Sequence, residues 1–226
     1  MNYIENVYIC LVAPVIVALF VVHRFRRRGM LFSACGMTAC LFSAYVSSFF
    51  ARVLEADPLA TSLEISPVVE EVMKLIPLVF YLLVYDPPKE EITSEALMIA
   101  VGFATLENAC YLIANGTQNT LRLLLRGFST GAMHVACGAA VAIILTGFWD
   151  RMYLRIAGML GAMCLAITWH GIFNVLVNQE GAVAIVGFML PILTGIAVVA
   201  IRRKIYGPVP VPGSRPPGMP PENPAI

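Results

Sequence analysis

Seven apolar segments, separated by charged and turn-rich stretches, constrain this chain more than any other feature of its sequence. An α-helix needs about 20 apolar residues to cross the roughly 30 Å hydrocarbon core of a bilayer. Each segment has about that length, so the sequence predicts an all-α, polytopic membrane bundle with about seven transmembrane helices. The predicted spans are residues 6–22, 30–51, 66–85, 94–114, 127–148, 156–177 and 182–201.

Composition supports a membrane protein and excludes a soluble globular enzyme. Hydrophobic residues make up 59% of the chain and charged residues 13%, whereas soluble domains carry about 25% charged residues. The six cysteines lie in apolar stretches without a CxxC pair, which argues against a disulfide-stabilised secreted domain. A net charge of +1 gives no electrostatic basis for nucleic-acid binding. The expected environment is therefore membrane lipid.

The distribution of Lys and Arg predicts the orientation of the bundle, because these residues accumulate in cytoplasmic loops. If the N-terminus lies outside, eleven of the 15 fall on the cytoplasmic side, three on the outer side, and Lys74 within a span. We therefore expect an outside N-terminus and a cytoplasmic C-terminus. Residues 1–206 are predicted to form one transmembrane domain. Residues 207–226, with eight of the 15 prolines, are predicted to form a disordered cytoplasmic tail.

Charged and polar side chains occur inside four of the predicted spans, where each charged group costs about 2.5–3.5 kcal/mol. They are therefore expected to face one another or water. The Ser66-Pro67 pair predicts the start of the third span, with Ser66 as N-cap. Counting residues from the ends of the predicted spans places the polar groups in one layer near the outer surface of the membrane. They are Glu70, Glu71 and Lys74 in the third span, Glu107 and Asn108 in the fourth, His134 in the fifth, and His170 and Asn174 in the sixth.

The spacing of these residues is typical of a hydrolytic site. Glu70 and Glu71 precede Lys74 by four and three residues, so either can contact its ammonium along the helix. Paired carboxylates beside a cation can supply a general base, and His170 with Asn174 one turn later can stabilise an oxyanion. The alternative is interhelical hydrogen bonding without catalysis, as is common in membrane bundles. Three Glu and two His at one depth exceed what packing requires, which favours a functional site.

Four motifs, in order on four successive predicted helices, resemble those of the PrsW family of intramembrane proteases. The resemblance covers residues 66–178, the candidate active-site core. More distantly, the pattern is similar to CAAX prenyl endopeptidases and bacteriocin-immunity-type membrane proteases, from which it departs at Lys74 and Glu107. The matching segments are Glu70-Glu71-Val72-Met73-Lys74 for the EExxK motif, Phe103 to Asn108 for the second motif, His134, and His170 to Asn174 for the HxxxN motif.

The resemblance implies an endopeptidase of the cell membrane that cleaves a single-pass membrane protein, such as an anti-sigma factor, near its extracytoplasmic end. Either Glu70 or Glu71 would deprotonate a water, with Glu71 favoured by the family pattern. His134 and Glu107 would position the water or protonate the leaving amine. The implied catalytic residues are Glu70, Glu71, Glu107, His134, His170 and Asn174, with Lys74, Phe103 and Asn108 in support.

The cofactor stays open between none and a divalent metal such as zinc. Two or three His and Glu ligands with an open position suit catalytic zinc, and the candidate ligands are Glu71, Glu107, His134 and His170. The sequence contains no HExxH motif. The metal-free version is therefore slightly favoured.

Two further interpretations compete with the glutamate-centred site. The segment from Gly127 to Gly131 fits GxSxG, so Ser129 and His170 could form a rhomboid-like serine dyad, although the same glycines also permit close helix packing. The chain could instead be a non-catalytic membrane scaffold or a proton- or ion-coupled transporter. A transport path needs polar residues at successive depths, whereas these residues gather in one layer, which ranks transport behind proteolysis.

Overall fold

The computed structural model describes residues 11–17, 27–115 and 120–206, and this part of the chain consists of helices joined by short turns, without strands. The predicted all-α class is therefore confirmed. The elements are α1 (11–17), α2 (Arg27–Val53), α3 (Pro58–Ala60), a π-helical turn (Thr61–Ile65), α4 (Ser66–Tyr85), α5 (Lys89–Asn115), α6 (Thr120–Phe148), α7 (Met152–Val177) and α8 (Ala182–Tyr206).

Within the described residues, four helices are long and apolar enough to cross a membrane, and they correspond to the second, fourth, fifth and sixth predicted spans. Multiple apolar helices of this length support a membrane protein. The four stretches are Arg28–Val53, Glu91–Ala114, Leu123–Phe148 and Met152–Val177.

The other three predicted spans are not among the long apolar helices found in the described residues. α4 has the 20 residues expected of the third span, but three of them are charged. The described apolar part of α8, Ala182–Ile196, is shorter than a typical span. Of the first predicted span the structure describes 11–17, and the predicted tail at 207–226 lies outside the described residues. The count of seven spans stays a prediction.

α5 lies at the centre of the bundle. All of its residues from 95 to 105 are buried, and Phe103 and Ala104 are fully enclosed. The helix contacts α2, α4 and α6, while α6 packs against α7 and α8. α4 also contacts α2 and α7. The four helices that carry the predicted site residues are therefore neighbours in one bundle.

Two glycines allow the backbones of α2 and α5 to touch. A Cβ atom added to Gly36 would overlap the carbonyl oxygen of Ile99, and one added to Gly102 would overlap that of Ser33. Small residues permit such close helix crossings in membrane proteins, where dispersion forces drive helix association. The crossing sets the position of α5 and thus of Phe103, the residue after Gly102.

The helical path into α4 begins earlier than the sequence predicts. The Asp57 carboxylate accepts a hydrogen bond from the Ala60 amide at 2.7 Å and caps this path, with Pro58 in the first helical position. Ser66 has helical backbone angles and follows directly on the π-helical turn. The prediction of Ser66 as an N-cap is therefore wrong, because the chain is already helical when it reaches that residue.

Gly36→Leu is expected to destabilise the protein, because a Leu side chain has no room against the Ile99 carbonyl. Overpacking of this kind costs about 1–3 kcal/mol or more, which would appear as a lower unfolding temperature in detergent. Gly161→Leu is the matched control, since a Cβ there meets no atom within 4 Å. An equal drop in unfolding temperature for both variants would contradict the close crossing.

Candidate active site

Four helices bring their ionisable side chains together at the end of the bundle where α4 and α6 begin and α5 and α7 end. We call this end the site end and the group the Glu–His cluster. Its imidazole rings are in contact, with centroids 5.1 Å apart in an edge-to-face arrangement. The Glu–His cluster consists of Glu70, Glu71 and Lys74 from α4, Glu107 from α5, His134 from α6 and His170 from α7.

The ammonium of Lys74 is buried and makes two short contacts within the Glu–His cluster. It donates to Glu71 Oε1 at 2.7 Å and to His134 Nδ1 at 2.8 Å. It also lies 4.9 Å from the centre of the Phe103 ring, within the range of a cation–π interaction. Lys74 thus links α4 to α6 and neutralises the buried carboxylate of Glu71.

The contact with Lys74 determines the tautomer of His134. An ammonium can only donate hydrogen bonds, so Nδ1 of His134 accepts and its proton resides on Nε2. That nitrogen donates to Glu107 Oε2 at 2.5 Å. The other oxygen of Glu107 lies 3.6 Å from Nη2 of Arg126, whose guanidinium stacks on Tyr111 at 3.5 Å. Polar contacts therefore run from the cluster interior to Arg126 at its edge.

Unlike His134, His170 is hydrogen-bonded through one ring nitrogen and keeps the other available. Its Nδ1 donates to Glu71 Oε1 at 2.8 Å, so in the neutral ring Nε2 carries a lone pair. Nε2 lies 3.7 Å from Glu70 Oε2. That oxygen is buried and has no hydrogen-bond partner among the described residues. Two acceptor atoms thus face each other across a gap that suits a proton, a water molecule or a cation.

Two of the three candidate ligands around this gap are placed to bind a divalent metal ion. Ligand atoms of Glu70, His134 and His170 lie within 4.8 Å of one another, and two ligands on opposite sides of zinc are at most about 4.3 Å apart. Glu70 and His170 meet this limit with free lone pairs. His134 would first have to release Lys74 or Glu107. This grouping contains Glu70 and lacks both Glu71 and Glu107, the two glutamates of the ligand set predicted from the sequence. Glu71 Oε1 is engaged by Lys74 and His170, and Glu107 Oε2 by His134.

The two asparagines and Ser129 contact backbone groups rather than the Glu–His cluster. Asn174 Nδ2 donates to the Ser62 carbonyl at 2.9 Å, and Asn108 Nδ2 donates to the Gly127 carbonyl at 3.2 Å. The Ser129 hydroxyl is fully buried and lies 2.6 Å from the carbonyl oxygens of both Leu125 and Phe188. Among the described contacts Ser129 does not pair with His170, which favours its structural interpretation.

Arg126 contacts the cluster through Glu107 but is not among the site residues predicted from the sequence. Arg126 precedes His134 by eight residues of α6, a spacing that places both on one stripe of the helix. The contact of Asn174 with Ser62 had no signal in the sequence. It joins residues 112 positions apart and depends on the π-helical turn.

Apolar helices long enough to span a bilayer, together with a buried cluster of carboxylates and imidazoles, define the class of helical membrane proteins with ionisable residues inside the bundle. The family model described as PrsW family intramembrane metalloprotease matches residues 14–201. The chain therefore belongs to the PrsW family of intramembrane proteases, which confirms the resemblance seen in its motifs. No curated protein and no solved structure matches it significantly.

Lys74→Met is expected to destabilise the protein by about 3–5 kcal/mol, because it leaves the Glu71 carboxylate buried without its cation. In a Glu71→Gln background the same substitution should cost much less, since no uncompensated charge remains. The measurement is a double-mutant cycle on unfolding free energies in detergent. Equal costs of Lys74→Met in both backgrounds would show that the ion pair is not what the bundle depends on here.

Proposed function

We propose that this chain is an endopeptidase that hydrolyses a peptide bond of a membrane protein with a water molecule activated between Glu70 and His170. The observation that carries the proposal is the unpaired Oε2 of Glu70 facing Nε2 of His170 at 3.7 Å. A water in this gap can transfer a proton to the carboxylate while its oxygen adds to the substrate carbonyl. Glu70 then returns the proton to the leaving amine as the C–N bond breaks.

Glu71 acts as a positioning residue in this proposal. It accepts hydrogen bonds from both Lys74 and His170, so it orients the imidazole whose other nitrogen faces the water. These engagements favour Glu70 over Glu71 as the general base. A carboxylate whose lone pairs are already bonded to an ammonium is a weaker proton acceptor than an unpaired one.

The second imidazole and the asparagine complete the proposed machinery. His134, whose two ring nitrogens are engaged by Lys74 and Glu107, would hold the neighbouring His170 ring in place through their edge-to-face contact. Asn174 follows His170 by one turn of α7 and would donate its amide hydrogen to the developing oxyanion. Phe103 packs against His134 at a centroid distance of 5.0 Å and excludes bulk water from that side.

The donor set supports a metal-assisted version of the same site. Glu70 and His170 would hold the ion, with His134 as third ligand once its nitrogen is released, and Glu71 would orient His170 from behind. Zinc in such a position lowers the pKa of bound water to about 7. The family description, which names metalloproteases, supports this version. The two versions differ in the task of Glu70, which is a base in one and a ligand in the other.

The proposal includes the membrane setting. Seven spans with the N-terminus outside would place the site end near the extracytoplasmic surface of the cell membrane, as the count of basic residues favours. The substrate would then be a single-pass membrane protein, such as an anti-sigma factor, cut near its extracytoplasmic end.

Glu70→Gln is expected to reduce cleavage of a tagged single-pass substrate by about 10²- to 10⁴-fold, because it removes the proton acceptor. The assay uses purified protein in detergent and a panel of substrates that includes a verified binding partner. Glu180→Gln, which alters an exposed carboxylate outside the cluster, is the matched control. Ser129→Ala should stay active.

Three outcomes would contradict this assignment. Full activity of Glu70→Gln together with an inactive Ser129→Ala would move the chemistry to the serine. Equal losses of cleavage activity in Glu70→Gln and Glu180→Gln would show that removing any negative charge lowers activity. No cleavage of any panel member by the wild type would favour a scaffold or transporter.

For the metal-assisted version we expect about one divalent metal ion per purified wild-type chain, measured by elemental mass spectrometry. His170→Ala and Glu70→Ala should lose it, because both remove a proposed ligand, whereas Glu180→Gln should retain it. An active wild-type protein without bound metal would contradict this version and leave Glu70 as the general base.

A further inference from the structure

An open pocket of about 480 Å³ lies beside the candidate site, between the last turns of α2 and the segment that leads into α4. Its volume falls in the range of about 300–1,000 Å³ that is typical of ligand sites. Its lining combines one guanidinium with four hydroxyl groups. These belong to Arg52, Ser48, Thr61, Ser62 and Ser66.

The polar lining contrasts with the apolar surface around it. Phe49, Phe50 and Val53 occupy the same last turns of α2 and are exposed, as expected of a face that contacts lipid. Arg52 takes part in none of the ion pairs formed by the described residues. The Thr61 hydroxyl donates to a backbone carbonyl at 2.8 Å and keeps its oxygen as an acceptor. The pocket therefore offers both donors and acceptors at an otherwise apolar surface.

The wall of this pocket is attached to both helices that form the proposed water site. Ser66 lies one turn before Glu70 on α4. The Ser62 carbonyl accepts a hydrogen bond from Asn174, one turn after His170 on α7. The pocket and the Glu–His cluster thus share their boundary.

That boundary has an unusual backbone. Residues Thr61–Ile65 form a π-helical turn, a rare conformation that often occurs at functional sites. Within it the Ser62 carbonyl is held by the Asn174 amide, the same donor proposed above for the oxyanion. The Asn174 amide is therefore already hydrogen-bonded to a backbone carbonyl, the kind of group that it would contact in a substrate.

We propose that the pocket admits an unwound segment of the substrate, whose scissile carbonyl replaces that of Ser62 on the Asn174 amide. This inference rests on the proposed function. An extended backbone within a membrane must pair its N–H and C=O groups with protein or water. The four hydroxyls and Arg52 supply such partners, and Ser62 itself lines the open pocket. The last turns of α2 and residues 58–65 thus form the substrate entrance.

The direct test is photo-crosslinking from a benzoylphenylalanine placed at Ala51, which lines the pocket, in the inactive Glu70→Gln protein. Leu160, exposed on α7 and not part of the pocket lining, is the matched control position. With a substrate that the wild type cleaves, we expect at least fivefold more substrate crosslink from position 51. Equal yields would overturn the inference. A crosslink from position 51 to phospholipid alone would overturn it as well and assign the pocket to a lipid headgroup.

A second variant separates this inference from the proposed function. Ala51→Trp fills the pocket and should slow cleavage at least tenfold, mainly through KM, while Leu160→Trp should leave it unchanged. Both variants should unfold at the wild-type temperature. If the wild type and Ala51→Trp cleave equally well, the proposed entrance is wrong but the proposed endopeptidase activity is retained. If the wild type cleaves nothing, both proposals fall.

Discussion

The charge of Lys74 has to be neutralised inside the bundle, because an isolated ammonium in a low-dielectric interior loses several kcal/mol of hydration. Its partners, Glu71 on the same helix and His134 on α6, determine much of the surrounding geometry. Since an ammonium only donates, it fixes the tautomer of His134 and directs that ring's proton to Glu107. Since Glu71 also accepts from His170, one carboxylate oxygen fixes the second imidazole. Three helices are therefore joined through one buried ion pair.

The adjacent carboxylates of Glu70 and Glu71 make different contacts, because neighbouring residues point about 100° apart around a helix. Glu71 Oε1 accepts from both Lys74 and His170, whereas Glu70 faces the free nitrogen of His170 with an unpaired oxygen. A partly satisfied polar network is costly in a protein interior. Such local costs occur at functional sites and are offset by packing elsewhere in the protein. The unpaired oxygen and the neighbouring polar pocket are thus parts of one proposed reaction path.

The sequence predicted the all-α class and the four helices that carry the ionisable residues, because apolar length and polar depth are local properties of each segment. It also predicted which ionisable residues the structure brings together. The family pattern favoured Glu71 as the base, whereas the contacts favour Glu70, and the difference lies in His170, 99 residues from Glu71. It misplaced the start of the path into α4 because the cap at Asp57 and the π-helical turn depend on how that segment packs. Arg126 was not among the predicted site residues because its partner lies on another helix.

The central claim is that Glu70 carries the chemistry while Glu71 supports the structure. Unfolding free energy and cleavage rate, measured side by side for Glu70→Gln and Glu71→Gln, test this division most directly. Glu70→Gln is expected to stay within about 1 kcal/mol of wild-type stability and to lose cleavage. Glu71→Gln should lose about 3–5 kcal/mol, because Lys74 is left without its anion. An active Glu70→Gln, or an inactive Glu71→Gln as stable as the wild type, would contradict it.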